Sequence, residues 1–169
     1  MTAGFAVWVT GPDDGAVADV AGAIAARLRA RQVPTETLDA GTPGIEALWG
    51  DGLVGRVAFV ASTLARHGVA TVIAVPGDRR AERHHVRTLI ERMIEVYVRP
   101  ASGDIRPGYE PPARPEVEIV APETSAGTGV GRTLRTLEIL KLLPADAGMA
   151  YSEEEEREVL RRLKAFGYV

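Results

Sequence analysis

The chain has 169 residues, of which 46% are hydrophobic and 25% charged, with a net charge of −3 and a pI near 5.7. That suffices for one domain with a real core and offers no basic footprint for nucleic acid. Cysteine is absent, which excludes disulfides, thiolate metal sites and cysteine nucleophiles and fits a reducing compartment. No run of about 18 apolar residues occurs, and the opening residues lack the basic-then-apolar layout of a secretion signal. The expectation is a cytoplasmic protein without membrane or nucleic-acid partners.

The first run, Phe5 to Thr10, reads as a buried strand, and Val17 to Leu28 belongs to an amphipathic helix over 16–31. Between them lies Gly11-Pro12-Asp13-Asp14-Gly15-Ala16-Val17-Ala18-Asp19. A strand, a glycine loop and a helix in this order form the setting of a phosphate loop, G-x-x-x-x-G-K-[ST]. The second Gly permits close backbone approach, the Lys reaches the β- and γ-phosphates, and the hydroxyl holds magnesium. Ala16, Val17 and Ala18 stand in those three places, and only Gly11 matches. Asp13 and Asp14 add carboxylates where phosphate oxygens would lie. Two like charges roughly 4 Å apart repel by about 1 kcal/mol in water and about 4 kcal/mol at an effective dielectric of 20. Missing cations and added anions both disfavour a triphosphate. A carboxylate of Asp13 or Asp14 capping the helix and filling the anion place is one reading; a solvent-facing Pro-Asp-Asp-Gly turn is the other.

Further along, strands are predicted at 35–38, 70–75, 94–98 and 116–120, and helices at 51–67, 79–92 and 133–143. Residues 99–115 are rich in Pro and Gly and read as a loop, as do Gly127, Gly129 and Gly131 after Ala-Pro-Glu-Thr-Ser. The alternation implies βαβ crossovers and a parallel sheet covered on both faces. Ser152 followed by Glu153 to Glu156 is a capping box opening a last helix, with Val159, Leu160, Leu163 and Phe166 as its apolar stripe and Gly167 as its stop. Residues 144–169 then form a connector and a C-terminal helix docked on the domain of 1–143, with a swapped or homodimeric arrangement as the alternative.

This order of pieces resembles the adenylylsulfate kinase (APS kinase) family, which phosphorylates adenosine 5′-phosphosulfate with ATP. Gly4 to Gly11, Val33 to Asp39, Arg56 to Ala61 with Leu64 to Val69, Glu95 to Val98, and Tyr109 to Val117 carry the likeness, in order, over about residues 4 to 143. It implies an α/β, three-layer P-loop nucleoside-kinase-like fold: a central parallel sheet flanked by helices, plus the C-terminal helix. The departures fall at the chemistry. Where the family continues after its second strand with Gly, a catalytic Asp and an Arg, this chain has Ala40, Gly41 and Gly44. The acceptor-binding stretch is shortened to Leu48 through Gly55, keeping only Asp51 and Arg56. Ser-Pro-Tyr-Arg becomes Gly77-Asp78-Arg79-Arg80, with Arg83 three residues on, and about ten residues between Tyr97 and Tyr109 replace the lid.

From these departures the expected function is a binding or regulatory module without kinase activity, tied to sulfate activation, with an unidentified protein or small anion as partner. No catalytic residue, metal or cofactor is expected; ATP and magnesium enter only if the chain is an active adenylylsulfate kinase. Asp39, Arg56, Arg80 and Arg83, together with Arg79, are the candidate ligand contacts, arginine's planar fork suiting an oxyanion. Against that, 79–92 also reads as a solvated helix with ordinary surface charge. A third reading is altered chemistry on a cation held by Asp13, Asp14, Asp39 and Asp78 at the sheet edge. His84 and His85 diverge by about 100° on a helix and cannot chelate together. Trp49 reads either as a stacking aromatic or as a plug at the core edge.

Overall fold

A computed structural model describes residues 4–122, 126–145 and 152–169. Five strands form one sheet in the order β2-β3-β1-β4-β5, with every neighbouring pair parallel. The strands are β1 (Ala6–Thr10), β2 (Thr35–Asp39), β3 (Ala70–Ala74), β4 (Met93–Pro100) and β5 (Val117–Ala121). The helices are α1 (Asp14–Ala30), α2 (Leu53–Arg66), α3 (Arg80–Leu89), α4 (Ala126–Ile139) and α5 (Glu153–Ala165), and a short 3₁₀ turn spans Ile45–Leu48.

The central strand β1 is buried along its whole length, so its two faces must both be apolar. Successive side chains point to opposite faces. Val7 and Val9 accordingly pack with Val72, Ile94 and Val96 under α1 and α4, whereas Ala6 and Trp8 pack with Ile73 under α2 and α3. The stripe Val17, Ala21, Ile24, Ala25 and Leu28 has helical spacing and turns one side of α1 into the core. On the opposite layer Val54, Val57, Ala58 and Ala61 do the same for α2. Outside α4, α5 buries Val159 and Leu163, and Arg135 of α4 pairs with Glu156. The Ser152 capping box is present: its Oγ accepts from the Glu155 amide at 3.2 Å, and the Glu155 carboxylate accepts from the Ser152 amide at 2.9 Å.

Several boundaries differ from the sequence expectation. β4 runs to Pro100 because it is paired on both sides, with β1 over 93–97 and with β5 over 96–100. α3 ends at Leu89, three residues early, since Ile90 turns to extended backbone as the chain enters β4. The largest correction concerns Gly127, Gly129 and Gly131, expected in a loop and found in α4. Each helical glycine costs about 1 kcal/mol relative to alanine. Burial of Val130, Leu134 and Leu137 outweighs that cost, and the Thr133 hydroxyl donates to the Gly129 carbonyl at 2.9 Å within the helix.

A Cβ added at Gly131 meets no atom within 4 Å. Gly131→Ala is therefore expected to raise stability by about 0.5–1 kcal/mol through the lower entropy of the unfolded chain. Urea denaturation checks this, and a drop in the midpoint would mean that the segment is not helical at this residue.

Candidate functional site

The chain leaves β1 towards β2 and leaves β3 towards β4, in opposite directions along the sheet, so a crevice opens above the C-terminal ends of these two adjacent strands. It has a volume of about 370 Å³ and is walled by Thr10, Val17, Trp49 and Gly77, with Asp14, Asp39 and Asp78 at its edges. Among the described residues, no arginine or lysine lines it.

The helix beneath it starts early. α1 begins at Asp14 and not at residue 16, with Asp13 in extended conformation as its N-cap. The Asp13 carboxylate accepts from the Ala16 amide at 2.9 Å, and the Asp13 carbonyl accepts from the Val17 amide at 3.0 Å. The solvent-facing alternative is therefore wrong for Asp13, while Asp14 does extend outward, its side chain 76% exposed. The Ala16 and Val17 amides, in the stretch that a phosphate loop would turn to its ligand, are thus taken by Asp13, and only residues 11–13 remain as loop. Gly11, the one match to the motif, has a packing reason: a Cβ there would lie 2.4 Å from the Val98 carbonyl oxygen. Gly15 and Asp19 fall within the helix.

A strap between β4 and β5 is tied to residues at and beside the crevice. Arg106 forms a two-pronged pair with Asp78 at 2.7 and 2.6 Å, donates through Nε to the Pro12 carbonyl at 2.9 Å, and lies 3.6 Å from Asp14. Tyr109 is buried, its hydroxyl 3.0 Å from that of Thr10 and its ring stacked on Tyr97 at 6.3 Å between centroids. The guanidiniums of Arg83 and Arg106 lie 5.4 and 5.9 Å from the Tyr109 ring centre. Glu110 accepts from the Arg80 amide at 2.8 Å and donates its own amide to the Asp78 carbonyl at 2.9 Å. Sequence reasoning missed Arg106 and Tyr109; the lone signal available was an arginine and a tyrosine inside a Pro- and Gly-rich loop.

The remaining candidates are dispersed. Asp39 lines the crevice but accepts from the Gly41 amide and the Thr42 hydroxyl in a local turn. Arg56, expected to contact an anion, instead donates to the carbonyls of Leu48, Trp49, Gly50 and Asp51 and holds that loop in shape. Arg83 is 2% exposed and bound to Glu95, so it is no open anion receptor either. Arg80 donates to the Pro111 carbonyl and does not line the crevice. Trp49, 41% exposed, sits at the crevice mouth, while Arg79, His84 and His85 lie on the surface. The carboxylate metal site is corrected: Asp13 caps a helix, Asp78 is neutralised by Arg106, and no group of three metal-ligating side chains occurs among the described residues.

Burial pushes the Tyr109 hydroxyl up to about 12, against the opposing hydrogen bond from Thr10. Burial, reinforced by the hydrogen bond to Glu116, likewise pushes Tyr168 to about 12. The Asp78 hydrogen bonds hold the Arg106 proton more firmly than usual.

The folded protein thus keeps protons on both tyrosines that the unfolded chain loses near pH 10. Their stabilisation is complete below that pH and is expected to fall away between about pH 10 and 12. Urea midpoints across this range measure the loss, and Tyr109→Phe should flatten part of it. Asp13→Ala is expected to cost about 1 kcal/mol as a lost N-cap. An unchanged melting temperature would contradict the cap.

No family model matches the chain. The adenylyl-sulfate kinase of Gloeothece citriformis is 27% identical over 171 residues, covering 83% of this chain and 97% of its own length. One from Synechococcus is 28% identical over 165 residues, covering 79% and 94%. Among solved structures, the hexameric APS kinase from Thiobacillus denitrificans is 26% identical with a TM-score of 0.71, covering 86% of this chain; this chain spans 31% of that longer one. A Mycobacterium tuberculosis APS kinase superposes at a TM-score of 0.66 with 21% identity, covering 82% and 99%. In sequence and in backbone, this chain is a relative of the adenylyl-sulfate kinases.

Proposed function

We propose that this protein is a non-catalytic relative of the APS kinases, a binding or regulatory module associated with sulfate activation. The observation that carries this reading is the start of α1 at Asp14. Asp13 takes the Ala16 and Val17 amides, and Val17 and Ala18 stand where the motif has its lysine and magnesium hydroxyl. Such donors supply much of the acceleration in phosphoryl transfer, and removing even one from a preorganised site costs roughly 3–4 kcal/mol. Among the described residues, three carboxylates and no cation line the crevice, which favours a neutral or cationic ligand over a polyphosphate. Trp49 at its mouth offers a flat apolar face. The described residues contain no helix long and apolar enough to cross a membrane.

A second reading is an active adenylyl-sulfate kinase, favoured by the names of relatives that align over nearly their full lengths. It requires a base and a phosphate clamp from residues outside the usual motif.

Calorimetric titration with Mg-ATP and then APS, followed by a phosphotransferase assay, separates the two. No heat with Mg-ATP and no labelled product are expected. Micromolar Mg-ATP binding or turnover would overturn the non-catalytic reading.

A further inference from the structure

A second concavity, of about 640 Å³, shares no residue with the crevice and has the opposite charge. It lies between α3, the strap and the C-terminal tail. On α3, Arg80, Arg83, His84 and Arg87 are spaced so that all four lie along one helix face, and all four line this cavity. Arg114 enters from the strap, and Phe166 and Tyr168 form the wall contributed by the tail. Four guanidiniums meet two carboxylates, Glu95 and Glu110, on a chain whose net charge is −3.

The cations are unequally satisfied. Arg83 is bound to Glu95 at 2.8 Å, and Arg87 to Glu116 at 2.8 Å and Glu95 at 3.3 Å. Glu95 and Glu116 are almost wholly buried beneath the cavity and are occupied by these pairs and, for Glu116, by the Glu95 amide and the Tyr168 hydroxyl. Arg80 has a neutral carbonyl as its side-chain partner, and the Glu110 carboxylate receives the Arg80 amide at the start of α3. Arg114 is exposed and forms no ion pair among the described residues. Like charges three and four residues apart destabilise a helix by about 0.2–0.5 kcal/mol per pair. A bound anion would relieve that repulsion. Arginine forks match a tetrahedral oxyanion in two-pronged fashion, and the rings of Phe166 and Tyr168 offer an apolar surface beside it.

We propose that this cavity binds a small organic molecule bearing a phosphate or sulfate group, held by Arg80 and Arg114, with its apolar part against Phe166 and Tyr168. The site does not depend on the reading of the crevice.

Titrations of the full chain at low salt with inorganic phosphate, sulfate and phenyl phosphate, followed by NMR shifts and calorimetry, test it. Saturable one-to-one binding is expected, tighter for phenyl phosphate than for phosphate, and weakened about tenfold or more by Arg114→Ala or Arg80→Ala, as befits a lost charged hydrogen bond. The phosphate and sulfate arms decide which oxyanion is preferred. Asp13→Ala, which perturbs the crevice, should leave the affinity unchanged. Absence of saturable binding, or binding indifferent to both arginine variants, overturns the proposal. Mg-ATP binding that survives both Arg114→Ala and Arg80→Ala, beside phenyl phosphate binding that does not, would overturn the non-catalytic reading of the crevice and leave this site standing.

Discussion

A single buried guanidinium ties the functional end of the molecule together. Arg83 donates to Glu95 on β4 at 2.8 Å, to the Gly77 carbonyl after β3 at 2.5 Å and to the Glu110 carbonyl in the strap, and it lies over the Tyr109 ring. Burying such a charge is costly unless it is both paired and hydrogen-bonded, and here it is both. Helix α3, the loop after β3, the strand β4 and the strap must all be in place for those acceptors to converge. The position of the strap, and with it that of Arg106 beside Asp78, therefore follows from a constraint in the core. The network continues through Glu95 to Arg87, Glu116 and the Tyr168 hydroxyl, so the last residues of the chain are linked to the same centre.

This anchoring changes what the crevice can accept. A hinged lid would leave the strap free to open, but Arg106 binds it to Pro12 and Asp78 while Tyr109 binds it to Thr10. The basic side chain nearest the first loop is therefore already neutralised. The N-terminus of α1, which carries the partial positive charge that ordinarily attracts a phosphate, has its own carboxylate in Asp13. Both local sources of positive potential are consumed by groups of the protein itself.

The sheet and most helices were legible in the sequence, because the runs around Val7 and Val72 are apolar on two faces and the stripes in α1 and α2 recur with helical period. The glycine-rich start of α4 was not, since its stability comes from tertiary burial of Val130 and Leu134 and not from local preference. That Val17 and Ala18 stand where the phosphate-loop motif has a lysine and a hydroxyl could be read directly. The early start of α1 could not, because Asp-Asp-Gly suits a turn and a cap equally well. Arg56 and Arg83 were read correctly as cations and incorrectly as open ones. A charge is visible in sequence, but its partners Leu48, Glu95 and Glu110 are fixed only by folding. The strap was invisible for the same reason, with Arg106 and Pro12 separated by 94 positions and Tyr109 and Thr10 by 99.

Relatedness to the kinases resides in the backbone, and the distribution of charge over that backbone is a separate matter. The strand order and the connections that open a crevice above β1 and β3 are matters of topology, met by apolar strands of the right length and helices of the right stripe. Which ligand enters is a matter of a few surface groups that the core does not constrain. With Val17 and Ala18 in the places that the motif gives to a lysine and a hydroxyl, the α1 stripe is continuous and Val17 joins the core. The same independence allows an acidic crevice and a basic cavity beside α3 to coexist in one domain, because the buried pairs Arg83–Glu95 and Arg87–Glu116 fix the scaffold while Arg80 and Arg114 remain at its surface. A scaffold stabilised by internal ion pairs can therefore exchange the sign of its binding surfaces at little cost to folding, and side-chain chemistry more than fold governs what such a protein can bind.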